Sequence, residues 1–153
     1  MIELHNASNM YFETSKKFDV IYADYIYENR DFSWASKWWK NLKVGGIFIA
    51  QTDWHTNHRY RVFIEDELGG ELVSDAVWKK TKGLNPSGRE TKQATAWIDD
   101  CTLTTTALER VRKDDGHLLR WQKPLKLYDR IIAPFVNESH NDILDLFMGS
   151  GSL

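Results

Sequence analysis

Two apolar runs in this chain each carry an aspartate at their carboxyl end, and that pattern restricts the fold more than any other feature of its 153 residues. The first, residues 18–23, is rich in β-branched and aromatic side chains and stops at Asp24. The second, residues 142–146, contains Asp145 and runs into Phe147-Met148-Gly149-Ser150-Gly151. Apolar runs of this kind predict strands buried on both faces, as in a parallel sheet covered by helices. Ligands of open α/β sheets bind beyond the carboxyl ends of strands, where strand order reverses. Two acids at two such ends therefore predict one shared cleft, with glycines that let the backbone approach a ligand closely.

Between these runs the period alternates. Residues 32–42 carry Trp34, Trp38, Trp39 and Leu42 at helical spacing, and Lys43-Val44-Gly45-Gly46 turns the chain into a second buried strand, 47–51. Residues 56–68 predict a helix with Tyr60, Phe63, Ile64 and Leu68 on one face. Gly69-Gly70 ends it before a third strand, 71–78, so that the unit repeats. From 79 to about 100 periodicity fades, and Gly83, Asn85, Pro86, Ser87 and Gly88 predict a loop or small insertion. Residues 124–135 place Leu125, Leu127, Tyr128, Ile131 and Ile132 on a last helix. The expected class is α/β, a mostly parallel sheet flanked by helices, in one domain over residues 1–153.

A hydrophobic content of 42% supports one core. No run approaches the roughly 18 apolar residues of a membrane span, and the first twelve residues lack the layout of a signal peptide. The lone cysteine, Cys101, fits a reducing compartment and has no metal-type cluster around it, so a cytoplasmic protein without a metal is expected. His55 and His58 stand three apart without a third ligand, and Trp34, Trp38 and Trp39 read as core or partner contacts. A net charge of −2 does not advertise a phosphate binder, so any nucleic-acid contact must be local. Residues 79–92 supply such a place, with five basic residues against Glu90 alone. Lys79, Lys80, Lys82, Asn85, Ser87, Arg89 and Lys92 are its candidate phosphate or base contacts, and a solvated face without a partner is the alternative reading.

The stretch Ile143-Leu144-Asp145-Leu146-Phe147-Met148-Gly149-Ser150-Gly151-Ser152 resembles the S-adenosylmethionine (SAM) loop of the DNA amino-methyltransferases, with Leu146 where that family has proline. His117-Leu118-Leu119-Arg120-Trp121-Gln122-Lys123-Pro124-Leu125 is similar to the family segment flanking the methionine end of the cofactor. Asp19-Val20-Ile21-Tyr22-Ala23-Asp24-Tyr25-Ile26-Tyr27 sits where the family carries its catalytic Asp-Pro-Pro-Tyr, with Tyr25 and Ile26 in place of both prolines. Val44-Gly45-Gly46-Ile47-Phe48-Ile49 and Ala76-Val77-Trp78-Lys79 resemble the next family segments in order. The likeness covers nearly the whole chain in the permuted order, catalytic motif before cofactor motif.

This resemblance implies a Rossmann-like sheet and methyl transfer from SAM to the N6 amine of adenine or the N4 amine of cytosine, on a base flipped from double-stranded DNA. Asp24, Tyr25 and Tyr27 would be catalytic: the Asp24 carboxylate and the Tyr25 carbonyl accept the two amine hydrogens, and Tyr27 stacks on the base. Asp145, Phe147, Gly149, Ser150 and Gly151, with Gln122, Lys123 and Pro124, would hold the cofactor. A short target-recognition insertion would occupy about residues 79–116. The family continues past its glycine loop, so the resemblance also implies a fold incomplete at the C-terminus, finished by a missing segment or a second chain. An RNA or protein amide N-methyltransferase, and a non-catalytic module binding nucleic acid or cofactor, are the other readings.

Overall fold

The computed structural model describes residues 10–24, 31–52, 56–84, 90–97 and 125–147, of which 76–84, 90–97 and 125–126 are described by their backbone alone. Its centre is β1, Phe18–Asp24, whose first six residues are all buried. On one side β1 pairs in parallel with β2, Leu42–Gln51, and on the other with β5, Ile143–Asp145, giving the order β2-β1-β5. A strand with parallel neighbours on both edges and helices on both faces has no solvated side, which is why its sequence shows no polar alternation.

The two faces are packed by different elements. Helix α1, Ser33–Trp39, buries Trp34, Ala35 and Trp38, one helical turn of apolar surface, against Ile21, Ala23, Phe48 and Ala50. Asp31 Oδ1 accepts the Ser33 backbone N–H at 2.9 Å and so satisfies an orphan donor at the start of α1. Helix α2, Asn57–Val62, continued by a widened π turn at Phe63–Glu67, brings Tyr60 to the same face. The opposite face is covered by helix α3, Leu125–Ile131, whose Leu127 and Ile131, with Ile132 after it, meet Val20, Tyr22 and Ile49. From Val20 to Ala23, successive β1 residues thus point alternately toward α3 and toward α1. A short 3-10 turn, Ala133–Phe135, follows α3, with Pro134 at its start, where a proline cannot continue the α ladder.

The expected mostly parallel α/β fold is therefore present, with three local departures. Lys43 to Gly46 is not a turn before a strand: Phe18 pairs with Leu42 and Val20 with Ile47, so these residues bulge within β2. Gly45 sits at φ +75, and a Cβ on Gly46 would lie 2.9 Å from the Lys43 carbonyl oxygen. The third strand, β3, runs over Asp75–Leu84 in place of 71–78, and it does not join the parallel sheet. It pairs antiparallel with β4, Glu90–Trp97, so a two-stranded ribbon stands where fading periodicity predicts a loop. Half-polar ribbon strands lack the apolar run that betrays a central strand. β4 is the ribbon strand that approaches β2.

Candidate active site

Side-chain alternation decides which residues share the carboxyl end of the sheet. Val20 and Tyr22 face α3, so Asp24, two residues on, lies on that side. The register pairs Asp24 with Gln51 and Tyr22 with Asp145. Ile49 and Ile143 pack on the α3 side, which puts Gln51 and Asp145 there as well. Three neighbouring parallel strands thus deliver Asp24, Gln51 and Asp145 to one face of one edge, beside Tyr128 of α3.

Electrostatics agree with that placement. Burial, helped by the charge of Asp24, pushes the Asp145 carboxyl up to about 6, although the Phe147 backbone N–H, donated at 3.0 Å, pulls it back. Burial raises the Tyr128 phenol above its ordinary value, and the charges of Asp145 and Asp24 add to this. The Tyr22 ring meets Tyr128 edge-on at 5.5 Å, and its hydroxyl donates to Gln51 Oε1 at 2.9 Å. The backbone N–H of Leu146 donates to the Tyr22 carbonyl at 3.0 Å, holding the chain against β1 as it leaves β5. Phe147 then crosses to the other face, where it packs edge-on against Trp34 at 5.4 Å.

Of the residues singled out in the sequence, Asp24, Asp145 and Phe147 are thus gathered at this edge. Tyr25 and Tyr27, the loop residues Gly149, Ser150 and Gly151, the segment Gln122, Lys123 and Pro124, and Asn85, Ser87 and Arg89 lie outside the described residues. Lys79, Lys80 and Lys82 fall on β3 and Lys92 on β4, and the register sets Lys79 opposite Lys92. His58 is exposed. A cavity of about 400 Å³ lined by Glu13, Thr14, Lys37, Trp38 and Asn41 lies near the start of the strands, away from Asp24. No helix among the described residues is long and apolar enough to cross a membrane.

No protein-family model matches the chain, and no curated protein matches it. Solved structures do. The crystal structure of the M1.HpyAVI-SAM complex superposes with a TM-score of 0.68 at 22% identity, over 90% of this chain and 76% of that one. The fold is that of M1.HpyAVI. A second crystal structure of M1.HpyAVI gives a TM-score of 0.59 at 21% identity, covering 90% of this chain and 74% of the other.

Within this M1.HpyAVI fold, the described edge contains three polar residues that sequence motifs did not single out as functional: Tyr22, Gln51 and Tyr128. Tyr22 and Gln51 were legible in principle, because each stands on the same strand face as Asp24 or directly across from it. Tyr128 was not, because its helix announces only an apolar stripe and says nothing of which sheet face it covers.

Proposed function

We propose that the chain is a SAM-dependent methyltransferase acting on an exocyclic amine of a DNA base, the N6 of adenine or the N4 of cytosine. One observation carries this reading: Asp24 and Asp145 stand on the same face at the carboxyl ends of adjacent parallel strands. It draws support from the order of the sequence motifs and from the fold shared with a protein solved as its SAM complex. The described residues suit that cofactor. Two carboxylates make this wall of the cleft acidic, which complements a ligand bearing a sulfonium and an amino group. When bound, SAM supplies an electrophilic methyl group.

The chain's own residues then supply position and charge. The lone pair of an aromatic amine is delocalised into its ring and points nowhere useful until both amine hydrogens are held. Asp24 accepts one of them and the Tyr25 carbonyl the other, which turns the lone pair toward the β5 side of the cleft. Tyr27 stacks on the extruded base, worth about 1 to 3 kcal/mol against an unstacking cost of a few. The basic positions of the β3–β4 ribbon, with Asn85, Ser87 and Arg89, contact the phosphates or bases around the target. One domain carries all of this, with target recognition in about residues 79–116. The work is done in the cytoplasm, where the lone Cys101 stays reduced.

Calorimetry with SAM, followed by transfer of labelled methyl groups to DNA, RNA and protein, tests the proposal. Label appearing in DNA as N6-methyladenine or N4-methylcytosine is the expected result. SAM binding without transfer to any of the three would replace it with a non-catalytic binding module.

A further inference from the structure

Gln51 is 5% exposed, closes β2 and stands in register with Asp24 on the α3 side of the sheet. One end of its amide is fixed: Oε1 accepts the hydroxyl of Tyr22, itself 1% exposed. The amide nitrogen is the other end of a side chain whose backbone position lies directly across from Asp24. That nitrogen is buried and has no hydrogen-bond partner among the described residues. Buried donors are nearly always paired, and an apolar side chain at this place would avoid the cost.

The topology indicates what such a donor is for. β1 lies between β5, which precedes Gly149 and Gly151 in the sequence, and β2, which ends in Gln51. With the methyl donor on the β5 side, a base held by Asp24 has the end of β2 as its other wall. Resting on the methyl-transfer reading, we propose that Gln51 reads the target base, its Nε2 donating to the ring nitrogen beside the amine that Asp24 holds. In adenine and in cytosine the amine adjoins a ring nitrogen with an in-plane lone pair, so an acceptor and a donor side by side match both. Thymine has no amine for Asp24 to hold. Asp24 and Gln51 together would admit adenine and cytosine and reject thymine, and the Tyr22 hydroxyl fixes the Gln51 amide by its carbonyl end.

The test uses duplex oligonucleotides carrying the site that the wild-type chain methylates in genomic DNA. In a matched duplex the target is replaced by 1-deazaadenine or 3-deazacytosine, which keep the amine and lose the ring lone pair. The wild type is expected to lose about tenfold or more in kcat/KM on the deaza duplex. Gln51→Met, similar in length and without a donor, is expected to treat the two duplexes alike while binding SAM with wild-type affinity. Gln51→Glu, closer still in shape, gives the same comparison if the methionine variant does not fold. A wild type that methylates both duplexes equally well, or a Gln51 variant that still discriminates tenfold, overturns the role of Gln51 and leaves the methyl-transfer reading standing. A wild type that methylates no DNA removes both.

Discussion

The two ends of the three-stranded sheet treat the same kind of side chain in opposite ways. At the amino end, Lys43 Nζ lies 2.9 Å from Asp19 and 2.8 Å from Asp142, and Lys16 reaches Asp142 at 2.9 Å. Asp19 also accepts the Asp142 backbone N–H at 3.0 Å, which ties β1 to the start of β5. Burial pushes the Asp19 carboxyl up, but Lys43 and that N–H outweigh it and hold it below its usual value. The hydrogen bonds of Lys43 and Lys16 bring Asp142 down to about 2. At the carboxyl end, Asp145 is pushed the other way, to about 6, by burial and by the neighbouring Asp24. Acids of one type on the same strands are thus neutralised where the sheet begins and crowded where it ends. The beginning holds the strands together, and the end keeps two carboxyls close to one another.

Four substitutions can break or sharpen this contrast. The largest effect is expected from Asp24→Ala, which lowers methyl transfer by about a thousandfold while SAM binding by calorimetry stays within a few-fold of wild type. Equal loss of both would mean that Asp24 only shapes the pocket. Asp145→Asn comes next. Because the folded chain holds this proton more tightly than the unfolded chain, wild-type stability falls as pH rises from about 4 to about 6. The amide still accepts the Phe147 N–H and removes that fall, so at pH 7 the variant should be more stable by about 2 kcal/mol, the shift being discounted for partial exposure. Urea titrations at pH 4 and 7 check this, and an unchanged pH slope would show that Asp145 is not strained.

Asp19→Ala should destabilise by a similar or slightly smaller amount, about 2 kcal/mol at pH 7, since it strands the Asp142 N–H and removes a buried partner of Lys43. The depressed carboxyls of Asp19 and Asp142 give stability that is present above about pH 4 and lost as pH falls toward 2. The variant should lose less than wild type in that window, and thermal melts at pH 2.5 and 5 read the difference. Tyr22→Phe is the mildest, costing about 1 kcal/mol by releasing the carbonyl of Gln51. Its melting temperature should fall by only about 2 to 4 °C, whereas discrimination between natural and deaza targets should weaken.

What the sequence made legible follows from how each element signals itself. β1, α1, the last part of β2 and β5 were readable because each is buried on a continuous surface, and burial writes an apolar run or stripe into the residues. The ribbon of β3 and β4 was not, because Lys79, Lys80, Lys82, Glu90 and Lys92 within its strands look like loop composition, and only cross-strand pairing makes them strands. The bulge at Lys43 to Gly46 was read as a turn because two glycines in succession serve either purpose. Asp24 and Asp145 stood out as acids closing apolar runs. Gln51 did not, because a glutamine ending a strand is unremarkable until the register sets it opposite Asp24.

The pairing of β1 with β5 joins residues that lie far apart along the chain: Asp19 and Asp142 are separated by 123 positions. A closure of that span is a slow, late event in folding, so the acids of the cleft meet only after the intervening chain has been accommodated. Its entropic cost, however, grows only with the logarithm of the span, by about 0.6 kcal/mol per doubling. Lengthening or exchanging the segment between β4 and α3 would therefore leave the meeting of Asp24 and Asp145 almost untouched. A chain organised in this way can vary that segment while the sheet stays the same.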